Sequence, residues 1–302
     1  MNQHVIWHNH EFLDYSHAKT HLHAHALHYG TAVFEGIRAY ETPNGTKIFR
    51  AKDHYDRLKN SAKIYLMPYE YSTDELIKIT HELLEKNALK SAYIRPLCFY
   101  GEGMLGLLPR TSQLELMISA WEWGAYLGEE GVKNGVRCCI SSWQRPSTNA
   151  LPNQAKCSAN YANSYLAKKE AIQNGFDEAI MLNDSGLVAE GPGANLFVIK
   201  NGKCFTPKGS DSVLDGITAD SVKSLLKNEL GCEVIETSLT RDFLFLADEL
   251  FFTGTAAEIT PIREINSRCI GSGKPGPITQ QVQTLYQDLV HGKLANYQHW
   301  LD

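Results

Sequence analysis

Hydrophobic and polar positions change their period several times along this chain, and each change predicts an element. Early on, Arg38–Tyr40 and Lys47–Phe49 read as strands flanking Asn44-Gly45, a pair suited to a tight hairpin. Ser72 followed three residues later by Glu75 marks a helix start, with Leu76, Leu83 and Leu84 on one apolar face behind it. Ala92–Tyr100 and Leu114–Trp121 carry enough apolar side chains to be buried strands. The pattern loosens between Gly124 and Pro152, around a strand at Val136–Ser142. A helix is predicted from Ser158 to Asn174, where Gly175 stops it. Strands Glu178–Leu182 and Leu187–Ala189 meet at Asp184-Ser185-Gly186, and another hairpin turns at Asn201-Gly202. Thr218 can cap a helix carrying Val222, Leu225, Leu226 and Leu230, ended by Gly231. After Pro277 a last helix gathers Ile278, Val282, Leu285, Tyr286 and Leu289 on one face.

Strands and helices alternate through both halves of the 302 residues, which predicts a mixed α-β (α+β) chain of two domains. The boundaries expected are a small α/β domain at 1–127, a linker at 128–136 and a larger domain at 137–302. With 43% hydrophobic and 21% charged residues the composition is that of a globular protein. The net charge of −5 and the lack of a continuous basic face argue against nucleic acid or an anionic membrane as partner. No apolar run reaches the length of a membrane span, and no targeting segment is recognisable at the N-terminus. Seven cysteines with no C-x-x-C pair fit reduced thiols in the cytoplasm better than disulfides or structural zinc.

Two kinds of motif are set aside. Gly101–Gly106 and Gly271–Gly276 both match G-x-G-x-x-G, but prolines follow or interrupt them, so both are expected to be loops rather than dinucleotide sites. His21, His23 and His25 alternate as they would on one face of a strand, with His28 just beyond; a solvated strand face is the expectation, and no metal site.

The remaining candidates are a lysine, a carboxylate and two anion-ready turns. Lys156 lies just ahead of a predicted helix, and Glu190 leads into the glycine-rich turn Glu190–Asn195. Gly216-Ile217-Thr218 opens a helix, where unsatisfied N–H groups and the dipole favour a phosphate. The small residues of Gly254-Thr255-Ala256-Ala257 let backbone amides approach a ligand closely. Taken alone, these features go no further than consistency with a phosphorylated cofactor.

Their combination resembles the branched-chain amino-acid aminotransferases, fold-type IV enzymes that use pyridoxal 5′-phosphate. The resemblance runs from about Tyr29 to Thr279, and four segments carry it: Tyr29–Arg38, Tyr93-Ile94-Arg95-Pro96, Glu190–Asn195 and Gly254–Glu258. It implies the two-domain fold of the D-amino-acid aminotransferase type. It also implies transfer of an amino group between leucine, isoleucine or valine and 2-oxoglutarate, giving branched-chain 2-oxo acids and glutamate. Lys156 matches the family's Schiff-base lysine, which forms the internal aldimine and moves the proton between substrate and cofactor. Glu190 matches the carboxylate opposite the pyridine nitrogen, and Tyr161 the tyrosine on the ring hydroxyl. Arg57, which by itself reads as a surface helix charge, matches the phosphate-binding arginine, joined by Ile217, Thr218 and Thr255.

For the substrate, Phe34, Gly36, Trp123, Tyr126 and Ala256 match the apolar lining. Tyr93 and the amides of Thr255–Ala257 resemble the α-carboxylate site, while Arg95 and Tyr29 resemble the groups that receive glutamate's second carboxylate. The residues matching Tyr29 and Leu107 come from the neighbouring subunit in the family, which implies a homodimer at least, and a hexamer built as a trimer of dimers is compatible with it. The loop 101–109 does not match the best-known members closely. A D-amino-acid or amine transaminase, or an aminodeoxychorismate lyase, is the alternative on the same fold; Phe34–Arg38 and Gly254–Ala257 favour the branched-chain reading.

Overall fold

The computed structural model describes residues 5–124 and 126–302. Contacts divide the chain into two units that its path does not visit once each. One comprises Met1–Trp123, Ala155–Ala159 and Val290–Asp302, the other Gly124–Gln154 and Asn160–Leu289. Lys156 therefore belongs with the N-terminal unit although the longer stretches on either side belong with the second. Residues 128–136, anticipated as a linker, carry a short helix and the start of a strand within that second unit.

In the first unit the elements are β1 (Val5–His8), β2 (Glu11–Asp14), α1 (His25–Tyr29), β3 (Ala32–Phe34), β4 (Ile37–Thr42) and β5 (Gly45–Ile48). After them come α2 (Ala51–Ile64), α3 (Thr73–Lys86), β6 (Ala92–Tyr100) and β7 (Leu114–Trp121). Among the described residues the strands form one antiparallel sheet in the order β2-β1-β7-β6-β4-β5, with β3 also paired to β6. Both long strands fall where the apolar content predicted them. Tyr55 and Leu58 of α2 and Leu76 and Leu83 of α3 pack with Ile94, Leu116 and Ile118, all fully buried. Burial of each such side chain contributes roughly 1.5–3 kcal/mol. Ala155 and Cys157 join this same core, which accounts for the allegiance of the lysine segment.

Ser72 caps α3 as predicted, its Oγ accepting from the Glu75 amide at 3.2 Å. The first hairpin differs by one residue. Thr42 pairs with Gly45, so the loop residues are Pro43 and Asn44, and Gly45 opens β5 at φ +91°. The reason is Thr42, whose Oγ accepts from the Asn44 amide and donates to the Gly45 carbonyl. The alternating histidines are not on a strand: His25 starts α1 fully buried, its ring nitrogens on Thr31 Oγ1 and the Gly106 carbonyl. Among the described residues no cluster of histidine, cysteine and carboxylates suits a metal ion.

The second unit holds α4 (Gly128–Asn134), β8 (Val136–Ile140), α5 (Asn160–Gln173), β9 (Glu178–Ile180), β10 (Asn195–Lys200) and β11 (Lys203–Thr206). It continues with α6 (Ile217–Asn228), β12 (Val234–Glu236), α7 (Arg241–Phe245), β13 (Glu249–Gly254), β14 (Glu258–Ile265), β15 (Arg268–Cys269) and α8 (Pro277–Val290). Its mixed sheet runs β12-β11-β10-β13-β14-β8-β9, with β15 on β14. The β10–β11 hairpin turns at Asn201-Gly202 with both φ positive, the conformation this pair was predicted to supply. Leu187–Ala189, expected as a strand, forms a bridge between Leu182 and Val188, flanked by backbone bonds from Asn183 to Leu187 and from Ala189 to Met181. The helix foreseen from Ser158 begins at Asn160, and the Ser158 amide donates to the Ala32 carbonyl of β3 at 2.9 Å. Both G-x-G-x-x-G segments are loops, as expected. All seven cysteines are free, six of them buried.

Candidate active site

A carboxylate to which the sequence assigned no role organises the first unit's site. Glu35 follows directly on β3 and is fully buried. Arg57 on α2 donates Nε to Glu35 Oε1 at 2.6 Å and Nη2 to Oε2 at 2.8 Å, a forked pair. His54, one turn earlier on α2, brings Nδ1 to within 2.7 Å of Oε2, and the Gly36 amide donates to the same oxygen at 3.2 Å. Burial would raise the Glu35 carboxyl, but the Arg57 charge and the His54 hydrogen bond outweigh it and hold the group well below the usual carboxylate range. Burial pushes the His54 imidazole down, against the pull of Glu35; the charges of Arg57 and Lys156 push the same way. A neutral His54 then donates from Nδ1, and Glu35 is the anion that fixes the Nε–Nη2 edge of Arg57.

Lys156 is held beside this group by its backbone. Its amide donates to Ser61 Oγ of α2 at 3.0 Å and its carbonyl accepts from the Phe34 amide at 3.0 Å. Its Nζ lies 5.1 Å from the centre of the Phe34 ring, and the Arg95 guanidinium lies 4.6 Å from the same ring. Arg95 Nη2 donates to Tyr93 Oη at 2.8 Å, while the buried Arg95 Nε has no hydrogen-bond partner among the described residues. Trp123 packs edge-on to Tyr93 at 4.5 Å. Gly36 is forced by this crowding, since a Cβ there would lie 2.2 Å from Tyr93 Oη. Six predicted residues (Phe34, Gly36, Tyr93, Arg95, Trp123 and Lys156) thus form one continuous group.

The second unit assembles its own set. Glu190, 5% exposed, accepts from Arg145 Nη2 at 3.0 Å on Oε1. Its Oε2 accepts from Asn195 Nδ2 at 3.0 Å and the Leu214 amide at 3.2 Å. Asn195 also donates to the Leu214 carbonyl, tying the Glu190 turn to the segment that enters α6. There the helix start differs from expectation: Gly216 is the N-cap, and Thr218 lies inside the first turn. A Cβ on Gly216 would meet Asn195 Oδ1 at 1.8 Å, so only glycine fits. Gly216 has no side chain of its own to cap this helix, whose first-turn amides and dipole are of the kind that attracts an anion. The Thr255–Ala257 turn joins β13 to β14, and Gly254 beside it packs on the Gly193 carbonyl of the Glu190 turn. Glu190, Ile217, Thr218, Thr255, Ala256 and Ala257 therefore share one neighbourhood. Tyr161 is half-buried in the first turn of α5.

The contacts described tie four predicted residues, Tyr161 and three others, to neither set. Tyr29 packs at a tilt against His25, Leu107 is 82% exposed on the loop after β6, and Tyr126 lies under Lys168. Conversely, Glu35, His54, Arg145 and Asn195 were assigned no role. Glu35 and Asn195 lie inside the segments Tyr29–Arg38 and Glu190–Asn195, and that position was the one available signal.

Comparison with known proteins identifies the family. The class IV amino-transferase family matches residues 32–265. The branched-chain-amino-acid aminotransferase of Pseudomonas aeruginosa is 47% identical over 296 residues, covering 98% of this chain and 96% of that protein. The crystal structure of the Escherichia coli branched-chain amino acid aminotransferase superposes with a TM-score of 0.97 at 44% identity, covering 99% of both chains. That of the Thermobaculum terrenum branched-chain amino acid aminotransferase, in its PLP form, gives 0.93 at 38% identity, covering 100% of this chain and 98% of the other.

Glu35→Gln is expected to cost about 3 kcal/mol of stability at neutral pH, since it removes the charge that three buried nitrogens share. A carboxyl held below its ordinary value of 4.5 contributes fully above that pH, and its contribution is lost as pH falls toward the depressed folded value. Urea unfolding at several pH values checks the sign. The gap between wild type and variant should stay constant above about pH 5 and narrow below it; a gap undiminished at about pH 3 would contradict the assignment.

Proposed function

The chain belongs to the class IV aminotransferases, and from that premise we propose that it transfers amino groups between branched-chain amino acids and 2-oxoglutarate with pyridoxal 5′-phosphate. The observation that carries the reading is the meeting of Lys156 with Phe34, Arg95 and Tyr93 beside the Glu35–Arg57 pair. The second unit's residues fit the cofactor: a buried carboxylate for a ring nitrogen, and a helix start at a glycine that tolerates no Cβ.

When bound, the cofactor supplies a carbonyl that condenses with amines and a ring that takes up the electron pair left at the substrate Cα. Lys156 Nζ would hold the cofactor, and its amine, once free, would serve as the base for the proton on the substrate Cα and as the acid that gives it back. Glu190 would partner the ring nitrogen and Tyr161 the ring hydroxyl. Arg57, the Ile217 amide, Thr218 and Thr255 hold the phosphate, Arg57 in the orientation Glu35 imposes. Phe34, Gly36, Trp123, Tyr126 and Ala256 line the space for leucine, isoleucine or valine. Tyr93 and the amides of Thr255–Ala257 receive the α-carboxylate. Arg95, a cation whose Nε lacks a partner among the described residues, takes glutamate's second carboxylate with Tyr29.

A homodimer is the smallest active unit in this reading, and a trimer of dimers its larger form. Leu22, Leu27, Met104, Leu107 and Leu108, all more than half exposed, form the apolar surface that a second copy would cover, with Tyr29 and Leu107 contributed to the neighbour's site. Free thiols suit work in the reducing cytoplasm, and no described helix is long and apolar enough to cross a membrane.

Purified protein with added cofactor should develop a near-visible absorbance band that L-leucine bleaches and D-alanine does not. A spectrum indifferent to added cofactor would sink this reading. Lys156→Ala is expected to abolish turnover, by at least about a thousandfold, while still taking up cofactor; residual transamination near the wild-type rate would remove the lysine from its role. Arg95→Ala should raise KM for glutamate by about a hundredfold with little change for leucine, and equal losses for both would contradict the dual use of one pocket.

A further inference from the structure

Arg145 lies in the irregular stretch between β8 and α5 and is almost wholly buried. Its Nη2 is 3.0 Å from Glu190 Oε1 and donates to Asn153 Oδ1 at 3.2 Å; its Nε donates to the Ser212 carbonyl at 3.3 Å. Its own amide donates to the Leu182 carbonyl at 2.8 Å, so the backbone from which the side chain reaches is anchored as well. Glu190 is thus approached by a full cation on one oxygen and by two neutral donors on the other.

From this geometry we infer that Arg145 is a positioning residue that keeps Glu190 ionised, so that the proton between Glu190 and the cofactor's ring nitrogen resides on nitrogen. The inference rests on the role given to Glu190 above. That proton has two resting places: on nitrogen, as a pyridinium facing a carboxylate, or on oxygen, as two neutral groups. A buried setting favours the neutral pair, because desolvation penalises both charges. A guanidinium in contact with the carboxylate reverses the preference, since it is nearer to the anion it stabilises than to the ring cation it repels. Asn195 and the Leu214 amide add direction, fixing the second oxygen, but no charge. The electron demand of the ring, and with it the acidity of the substrate Cα, then depends on Arg145, a residue that need not touch the cofactor.

The test is the 15N spectrum of holoprotein reconstituted with cofactor labelled at the ring nitrogen, in wild type, Arg145→Gln and Arg145→Lys. The expected result is a pyridinium signal in wild type and in the lysine variant, and a shift to the unprotonated-pyridine position in the glutamine variant. In parallel kcat for leucine should fall about tenfold or more in the glutamine variant, the effect that one unit of pKa represents, with KM little changed. A pyridinium signal retained by Arg145→Gln overturns the inference, as does an unprotonated nitrogen in loaded wild type. If the glutamine variant does not fold, Arg145→Lys decides: it keeps the charge without the fork, and an unprotonated nitrogen there is equally fatal. Wild-type protein that takes up no cofactor at all overturns the proposed function itself, and this inference with it.

Discussion

Glu35 has no exposed surface, yet it stays charged, because Arg57 offers it two nitrogens and His54 a third. Removing an ion from water is costly, and only this degree of pairing offsets it. The consequence is mechanical as well as electrostatic. The pairing pins α2 to the end of β3, while Ser61 on that helix and Phe34 on that strand hold the two sides of the Lys156 peptide. A single buried anion therefore fixes the arginine, the strand end and, through both, the lysine segment.

The second unit solves a similar problem with Glu190. In both cases the acid stands directly before a glycine whose Cβ would strike an aromatic side chain, Tyr93 beside Gly36 and Phe252 beside Gly191. In both, arginine supplies the countercharge and uncharged donors fill the remaining positions. The glycines let backbone and aromatic ring approach each other beside the buried carboxylate, where every contact is strengthened by the lack of water. Charge and steric fit thus meet at neighbouring residues: neither glycine can be replaced without displacing an aromatic ring next to its acid.

Much of the architecture was legible before folding. β6 and β7 follow from unbroken apolar content, the cap on α3 from a serine and a glutamate three apart, and the second hairpin from two residues that tolerate positive φ. Lys156 and Glu190 were singled out through the family resemblance of the segments around them, and the structure seats the first beside Phe34 and buries the second under Arg145. The first hairpin was off by one residue because Thr42 competes for the turn's hydrogen bonds. Thr218 was taken for a cap because its hydroxyl suits that role, whereas Gly216 holds it because Asn195 allows no side chain there.

What the sequence by itself determined is local: periods of two and of 3.6, turn chemistry, and the residue types a cofactor would need. What only the tertiary structure decided is which charge meets which. Arg57 reads as a surface residue until Glu35, 22 positions earlier, turns out to be its partner. Arg145 reads as part of a loop until it is found on Glu190. Coulomb attraction and desolvation depend on distance through space and on the exclusion of water, and neither is encoded in the spacing of residues along the chain.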